Sequence, residues 1–423
     1  MGEPPRPAAG AGDAGAATLP GEPDPPLRRN RDFLLLWSGA GLSLLGTRIN
    51  TIAYPLLVLW STGSARTAGL LGFVAQLPYL VVQLPAGALV DRWDRRRLMI
   101  LCNAGAVLAT AGVAATVAAG RLWLPVLLVA AFAESALGIV YRLAERAGVR
   151  TLVPPRQLAT ALSQNEARGQ TAGLLGQPGG GLLFGLAHWA PFGFTALAHL
   201  GSVAGLLLIR RDLSSEPAAR PSTVAGAIGE AVVWVWRQRL LRAVLGIVAA
   251  GNLLLQGLGL ALLVAVHEQG GSPAMVSLIV AGRGLGGVLG ALSGTWWLRR
   301  LSVRAIVIGG NAAWAALIPA AALAPGPLWL GPLFAGVSFV AGVLNVAGGV
   351  YQVRTTPDAM QGRVGGVMGL VGSGTTALGM LGAGLMLGAQ GAAPTLLELG
   401  GAMTAVALLA IASPAVRRAR DRL

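Results

Sequence analysis

Five charged side chains interrupt stretches of chain that are otherwise apolar: Arg48, Glu134, Glu166, Arg168 and Arg283. A charge at the centre of a bilayer costs about 2.5–3.5 kcal/mol on insertion scales, so such groups face a cavity or one another and mark relays for ions and protons. Glu134, about midway along its stretch, is a candidate to load and release a proton, with Glu166 the alternative acid. A permanent pair between Glu134 and an arginine, doing no more than holding helices together, is the other open reading.

Helical spacing sorts the polar residues into stripes. Glu134, Gly138, Tyr141 and Glu145 follow i, i+4, i+7, i+11 and share one face. Gln76, Tyr79 and Gln83 form a second stripe, Asn252 and Gln256 a third, Asn345 and Gln352 a fourth, and Asn50 lies one turn before Tyr54. Each amide alone reads as interhelical glue. Together they describe a moderately polar cavity with aromatic walls, suited to an amphiphilic organic solute.

Other chemistry finds no support. His188, His199 and His267 are scattered, and no His/Cys/Asp/Glu group has metal-ligand spacing. The chain contains no lysine, so it lacks a phosphate-binding Gly-x-x-x-x-Gly-Lys loop, and ATP hydrolysis is not the energy source. The run Gly282-Arg283-Gly284-Leu285-Gly286-Gly287 imitates a nucleotide fingerprint but falls inside an apolar stretch. No enzyme, cofactor or metal is expected.

The elements that must position these residues are membrane helices. Twelve apolar stretches lie at roughly 33–60, 68–90, 98–119, 122–141, 158–186, 191–209, 243–266, 275–298, 303–324, 327–353, 363–388 and 394–413. Each reaches or nearly reaches the length of about 20 residues that a helix needs to cross the hydrocarbon. Backbone groups unpaired in lipid exclude irregular chain there, and barrel strands would be about half as long. Hydrophobic residues make up 54% of the chain and charged residues 12%, well under the charge of about 25% found in soluble domains.

Arginine placement predicts the orientation. Of the 32 basic residues, all but Arg66, Arg121 and the three in span interiors lie in the two tails, in the gaps after spans 2, 4, 6, 8 and 10, or, as Arg304 and Arg363, at the edge of the span that follows such a gap. That excess marks the cytoplasmic side, so both termini are expected there, on a multi-pass protein of the cytoplasmic (inner) membrane. The net charge of +15 is thus a topology signal, and no nucleic-acid partner is expected. Cys102, the only cysteine, excludes an internal disulfide framework.

Residues 1–32, rich in Pro, Gly and Ala, read as a disordered cytoplasmic tail. Spans 33–209 form an N-terminal six-helix bundle and 243–413 a C-terminal one, with a basic tail at 414–423. The linker 210–242 is polar at first and then, with Trp234, Trp236, Arg237 and Arg239, predicts an amphipathic helix on the membrane surface. The equal halves carry a decayed repeat: Gly87, Arg92 and Arg97 recur at the same offsets as Gly294, Arg299 and Arg304, while Asp91 has become Leu298.

The segment Gly87-Ala88-Leu89-Val90-Asp91-Arg92-Trp93-Asp94-Arg95-Arg96-Arg97 resembles the signature loop of the major facilitator superfamily, Gly-x-Leu-x-Asp-Arg-x-Gly-Arg-Arg, with Asp94 in place of the second glycine. Span 5 carries Gly176-Gln177-Pro178-Gly179-Gly180-Gly181, similar to the Gly-Pro-x-x-Gly-Gly element of that superfamily's antiporters, with Gln177 replacing the first proline. The stretches 152–159 and 357–364 further resemble the bacterial twelve-span drug:proton antiporters of the macrolide and siderophore exporter type.

The resemblance implies an all-α polytopic fold of twelve transmembrane helices in two pseudo-symmetric six-helix halves. In that fold spans 1, 4, 7 and 10 line a central cavity, spans 2, 5, 8 and 11 pack the halves together, and spans 3, 6, 9 and 12 face outward. The span charges avoid the outward set apart from Glu398. Arg48 and Arg168 become the cations able to compete with a proton on Glu134. Asn50, Tyr54, Gln76, Tyr79, Gln83, Tyr141, Asn252, Gln256 and Asn345 become cavity candidates. Asp91, with Arg92, Arg95 and Arg363, forms a candidate conformational latch, and Gly176, Pro178, Gly180 and Gly181 a helix-packing element. The implied function is secondary active export of a small amphiphilic compound in exchange for protons, by a monomer whose partners are substrate, protons and the lipid bilayer. Proton-coupled import, or a non-transporting sensor or assembly role, is the alternative.

Overall fold

In the computed structural model, residues 26–211, 213, 239–355 and 358–412 are described, with only the backbone described at 84, 239–245, 247, 248, 303, 351–355, 358–367 and 410. These residues form thirteen long helices and no strand. They are α1 (Arg31–Thr62), α2 (Ala65–Val81), α3 (Gln83–Arg92), α4 (Arg95–Ala118), α5 (Leu124–Leu152), α6 (Leu158–Leu186) and α7 (Ala190–Leu208). The second half supplies α8 (Arg239–Glu268), α9 (Pro273–Arg300), α10 (Val303–Ala322), α11 (Pro327–Thr355), α12 (Asp358–Gln390) and α13 (Ala392–Ala412).

Local chemistry sets the helix ends. Asn30, Ser64, Asp94, Ser272 and Ser302 each accept a hydrogen bond from a backbone N–H in the first turn that follows, which satisfies a donor the helix leaves free. Gly63 closes α1 at φ 66°, in the left-handed region open to glycine at little cost. The second span is broken: α2 and α3 are bent by 58°. Pro85 has no N–H to give Val81, and its ring crowds that carbonyl, so the ladder fails there and resumes with Ala86 N–H on Val82 O at 2.9 Å.

Ten helices are separately long and apolar enough to cross a membrane, and α2 with α3 qualifies as a bent pair. The sequence expectation that every span is apolar enough fails for α6, which is diluted by Gln164, Gln170, Gln177 and its glycines. Packing explains part of this: α6 runs between α1 and α9, where Gln177 is half-buried, whereas Gln164 and Gln170 are exposed. The chain also becomes ordered before residue 33. Leu27 is buried, the Asn30 amide donates to Leu152 O at 2.9 Å, and the buried Asp32 carboxylate accepts from the Arg210 and Arg211 N–H groups. Most of the linker, with Trp234, Trp236 and Arg237, and the tail 414–423 lie outside the described residues.

The helices alternate in direction, so the bundle has one end that holds the chain termini and an opposite, far end. One apolar core joins both halves at the far end, taking in Leu56, Leu59, Leu71 and Phe184 from the first and Leu262, Val266, Val276 and Leu387 from the second. At the termini end the cores separate. Phe33, Leu36, Met99 and Leu152 pack only among first-half residues, and Ile306, Val343 and Ala347 only among second-half residues. Among the described residues, therefore, the cores of the two halves join at the far end and are separate toward the termini.

Two backbone approaches hold the far end shut. A Cβ on Gly69 of α2 would sit 2.6 Å from Gly384 Cα of α12. A Cβ on Gly181 of α6 would strike the Ser277 hydroxyl and lie 3.0 Å from Pro273 O, both on α9. Small residues permit such contact where dispersion and close packing, not hydrophobic exclusion, hold helices together.

Candidate proton and substrate site

Glu134 sits at the centre of a buried polar network in the first half. Both its carboxylate oxygens accept from Asn50 Nδ2, at 3.1 and 3.0 Å, and Oε2 also accepts from the Tyr54 hydroxyl at 3.2 Å. The one-turn spacing of Asn50 and Tyr54 on α1 aims both at the same point on α5. Asn50 Oδ1 in turn accepts from Thr195 Oγ1 of α7 at 3.0 Å. Glu134, Asn50 and Tyr54 are 4%, 1% and 6% exposed, so every partner of the acid is neutral and enclosed.

Neither candidate arginine reaches Glu134. Arg168 Nη2 instead bonds Glu145 Oε1 at 2.6 Å, the one ion pair among the described residues. Its Nη1 donates to Trp37 O at 3.0 Å. Arg48 makes no hydrogen bond or ion pair among the described residues, and its buried Nε has no acceptor. Its Cβ lies against Gly176 of α6, where any side chain would collide with it. The fixed Glu134–arginine pair is therefore not formed here. Glu166, the alternative acid, is exposed and accepts from Gln170 on its own helix at 2.9 Å.

The remaining candidates divide. Tyr141 is buried inside the first half, its hydroxyl 3.3 Å from Ser202 Oγ of α7, and does not line a space between the halves. The Tyr79 hydroxyl accepts from Arg142 at 3.1 Å, and that guanidinium lies over its ring. Gln83, Gln256 and Asn345 are exposed, while Gln76 and Asn252 are half-buried. Side chains of this polarity at membrane depth face water and not lipid. Gly180 packs against Ile49, and a Cβ there would lie 2.7 Å from Ile49 O; Pro178 stays within α6.

Asp91 is exposed and Arg92 with it, whereas Arg95 Nη1 reaches Thr151 Oγ1 at 3.3 Å. The Arg363 side chain and Gln352 lie outside the described side chains.

A second buried cluster escaped the sequence reading. Ser43 Oγ lies 3.0 Å from His199 Nδ1 and 3.1 Å from Asn103 Oδ1, and Asn103 Nδ2 donates to Ser202 Oγ at 3.0 Å. Thr195, His199 and Ser202 follow i, i+4, i+7 on α7. The stripe test applied to the other spans would have found them there, had the outward-facing assignment of that span not turned attention away.

A two-halved bundle of long apolar helices that encloses an acid defines a multi-pass membrane protein. A sequence profile of the Major Facilitator Superfamily matches residues 36–264, and the chain belongs to that superfamily, a family of transporters and not of enzymes. The chain is 29% identical to "Multidrug efflux pump Tap" of Mycolicibacterium fortuitum over 398 residues, covering 91% of this chain and 95% of that protein. It is 27% identical to "Macrolide efflux protein A" of Streptococcus pyogenes over 179 residues, 42% of this chain and 43% of that one. The nucleoside transporter NupG superposes with a TM-score of 0.72 at 12% identity, covering 93% of this chain and 100% of that one. A bacterial homologue of the lysosomal transporter Spinster, solved inward-facing and unoccupied, gives 0.70 at 15% identity over 92% and 98%. The last two likenesses concern fold.

Proposed function

We propose that this protein is a secondary active exporter that moves a small amphiphilic organic compound, a drug or natural product, out of the cell in exchange for protons. The observation that carries the reading is Glu134, enclosed at membrane depth with both oxygens on neutral donors. An arginine partner would hold the carboxylate ionised, whereas Asn50 and Tyr54 leave it free to take a proton and give it up. Similarity to a multidrug efflux pump over nearly the whole chain, and to a macrolide efflux protein over 42% of it, supports the direction and the substrate class.

In this reading the halves, with cores separate toward the termini, are in one state of an alternating-access cycle, with the exposed Gln83, Gln256 and Asn345 meeting substrate from the termini end. The arginine pattern supports a cytoplasmic location for both termini in the inner membrane, which makes that end the inner one. The protein works as a monomer whose partners are substrate, protons and lipid, and its organisation is two six-helix bundles, 33–209 and 243–413, joined by the linker 210–242.

The test is uptake into inside-out vesicles under an imposed proton gradient, across a panel of antibiotics and siderophores. Glu134→Gln keeps the shape and removes the charge. It should still bind and exchange substrate while losing accumulation driven by the gradient. Full gradient-driven export by this variant would eliminate Glu134 as the proton carrier.

A further inference from the structure

We propose that the groove between α4 and α7, on the outer surface of the first half, is a binding site for one anionic phospholipid. Two cavities lie in line along it. At the termini end, a cavity of about 370 Å³ is lined by Arg96, Arg97, Arg210 and Arg211, with Asp94 the lone acid and Ile100 and Leu207 leading away from the mouth. Farther along the same helix pair, a cavity of about 520 Å³ is apolar, walled by Val107 and Ala111 of α4 and by Leu197 and Leu200 of α7.

The register makes these one groove. Arg97, Ile100, Val107 and Ala111 follow a helical repeat on one face of α4, and Leu207, Leu200 and Leu197 do so on α7. Ile100 to Val107, and Leu207 to Leu200, are each seven residues, about 10 Å along a helix axis. A charged mouth at the membrane surface leading into an apolar channel at hydrocarbon depth has the form of a headgroup and an acyl chain. Leu197, Leu200 and Leu207 are 69%, 53% and 59% exposed, open to the lipid that would supply the occupant.

Among the described residues, no carboxylate side chain takes up the charge in the mouth. Arg96 is committed, donating to Leu206 O at 2.9 Å and Leu207 O at 2.7 Å at the end of α7. Arg210 and Arg211 engage Asp32 through their backbone N–H groups, and among the described residues no carboxylate pairs with the side chain of Arg97, Arg210 or Arg211. Asp94 caps α4 by accepting from Arg97 N at 2.7 Å, so it is turned to its own helix. Basic pockets between membrane helices at the interface suit phosphodiester headgroups. A zwitterionic lipid would bring an ammonium into a cluster of four guanidiniums.

The experiment is native mass spectrometry of the delipidated full-length protein, titrated separately with phosphatidylglycerol, phosphatidylcholine and inorganic phosphate. One phosphatidylglycerol should bind at least about tenfold more tightly than phosphatidylcholine, and phosphate should not displace it. Arg97→Gln with Arg211→Gln should weaken phosphatidylglycerol by about thirtyfold, as the loss of two interfacial charges implies. Ala111→Phe, which fills the apolar part and leaves every arginine in place, should weaken it independently. Equal binding of the two lipids, or unchanged affinity in both variants, overturns the proposal. Displacement by millimolar phosphate reduces the site to an anion pocket and overturns it as a lipid site.

Discussion

Arg168 and Glu145 meet at 2.6 Å inside the first half, their side chains 10% and 8% exposed. The pair ties α6 to α5, and the same guanidinium bonds the Trp37 carbonyl of α1. Because Arg168 is committed to Glu145, Glu134 is left with uncharged partners. The cation that could have fixed the acid in one state is satisfied on the same face of α5, three turns away.

Breaking this pair should destabilise the protein. Removing one partner leaves an uncompensated buried charge, typically worth about 3–5 kcal/mol, so Glu145→Gln and Arg168→Gln should each lower the unfolding temperature in detergent. The double variant Glu145→Leu with Arg168→Met, which leaves no charge behind, should recover most of the loss. Single variants that melt like the parent would show that the pair bears no structural load.

Asn50 should behave as a bridge. Its amide donates to Glu134 and its carbonyl accepts from Thr195; in Asn50→Ala the Thr195 hydroxyl keeps the Gly46 and Pro191 carbonyls and Glu134 Oε2 keeps Tyr54, but Glu134 Oε1 loses its donor, at about 1–3 kcal/mol for a buried group left unpaired. Gradient-driven export should fall at least about tenfold, since 1.4 kcal/mol is a factor of ten. Glu134→Gln and Asn50→Ala combined should fall short of the sum of their separate effects. Strict additivity in vesicle transport would mean that the two do not act together.

A side chain at Gly69 should pry the far end open. In Gly69→Val the new atoms would meet Gly384 Cα and the Met380 carbonyl, at 2.6 and 2.7 Å from the Cβ, and neither can yield without moving α12. The halves should separate there, breaking the edge contact of Trp60 with His267, whose rings are 4.7 Å apart. Spin labels at Ser64→Cys and Gln269→Cys would read this as a longer distance distribution, with Cys102 buried and unreactive. An unchanged distribution would count against steric closure at this glycine.

Asp91 should latch to Arg363 when the termini end closes. Among the described residues Asp91 is exposed and has no partner, which leaves its carboxylate available for that contact. An Asp–Arg contact has strong, directional hydrogen bonds, so Asp91→Asn and Arg363→Gln should each shift the balance between states without unfolding the protein. Transport by the double variant should be well above that predicted from the two single losses. Equality with their sum would rule the coupling out.

Composition and spacing alone determined the membrane-helical class, because lipid leaves the backbone no alternative over twelve apolar stretches. They also drew attention to Glu134, since a buried acid is costly enough to stand out, and Asn50 and Tyr54 were legible as one stripe on one helix. Which of these touch was decided by tertiary packing. Arg168 and Arg48 looked equivalent as partners for Glu134, and nothing local assigns Arg168 to Glu145, because the choice depends on how α1, α5 and α6 are rotated against one another. Thr195, Asn103 and His199 entered the networks only when α4 and α7 turned their polar faces inward. That the halves share one core at the far end is likewise invisible in sequence, because it depends on how Leu71 and Phe184 meet Val276 and Leu387 across long stretches of chain.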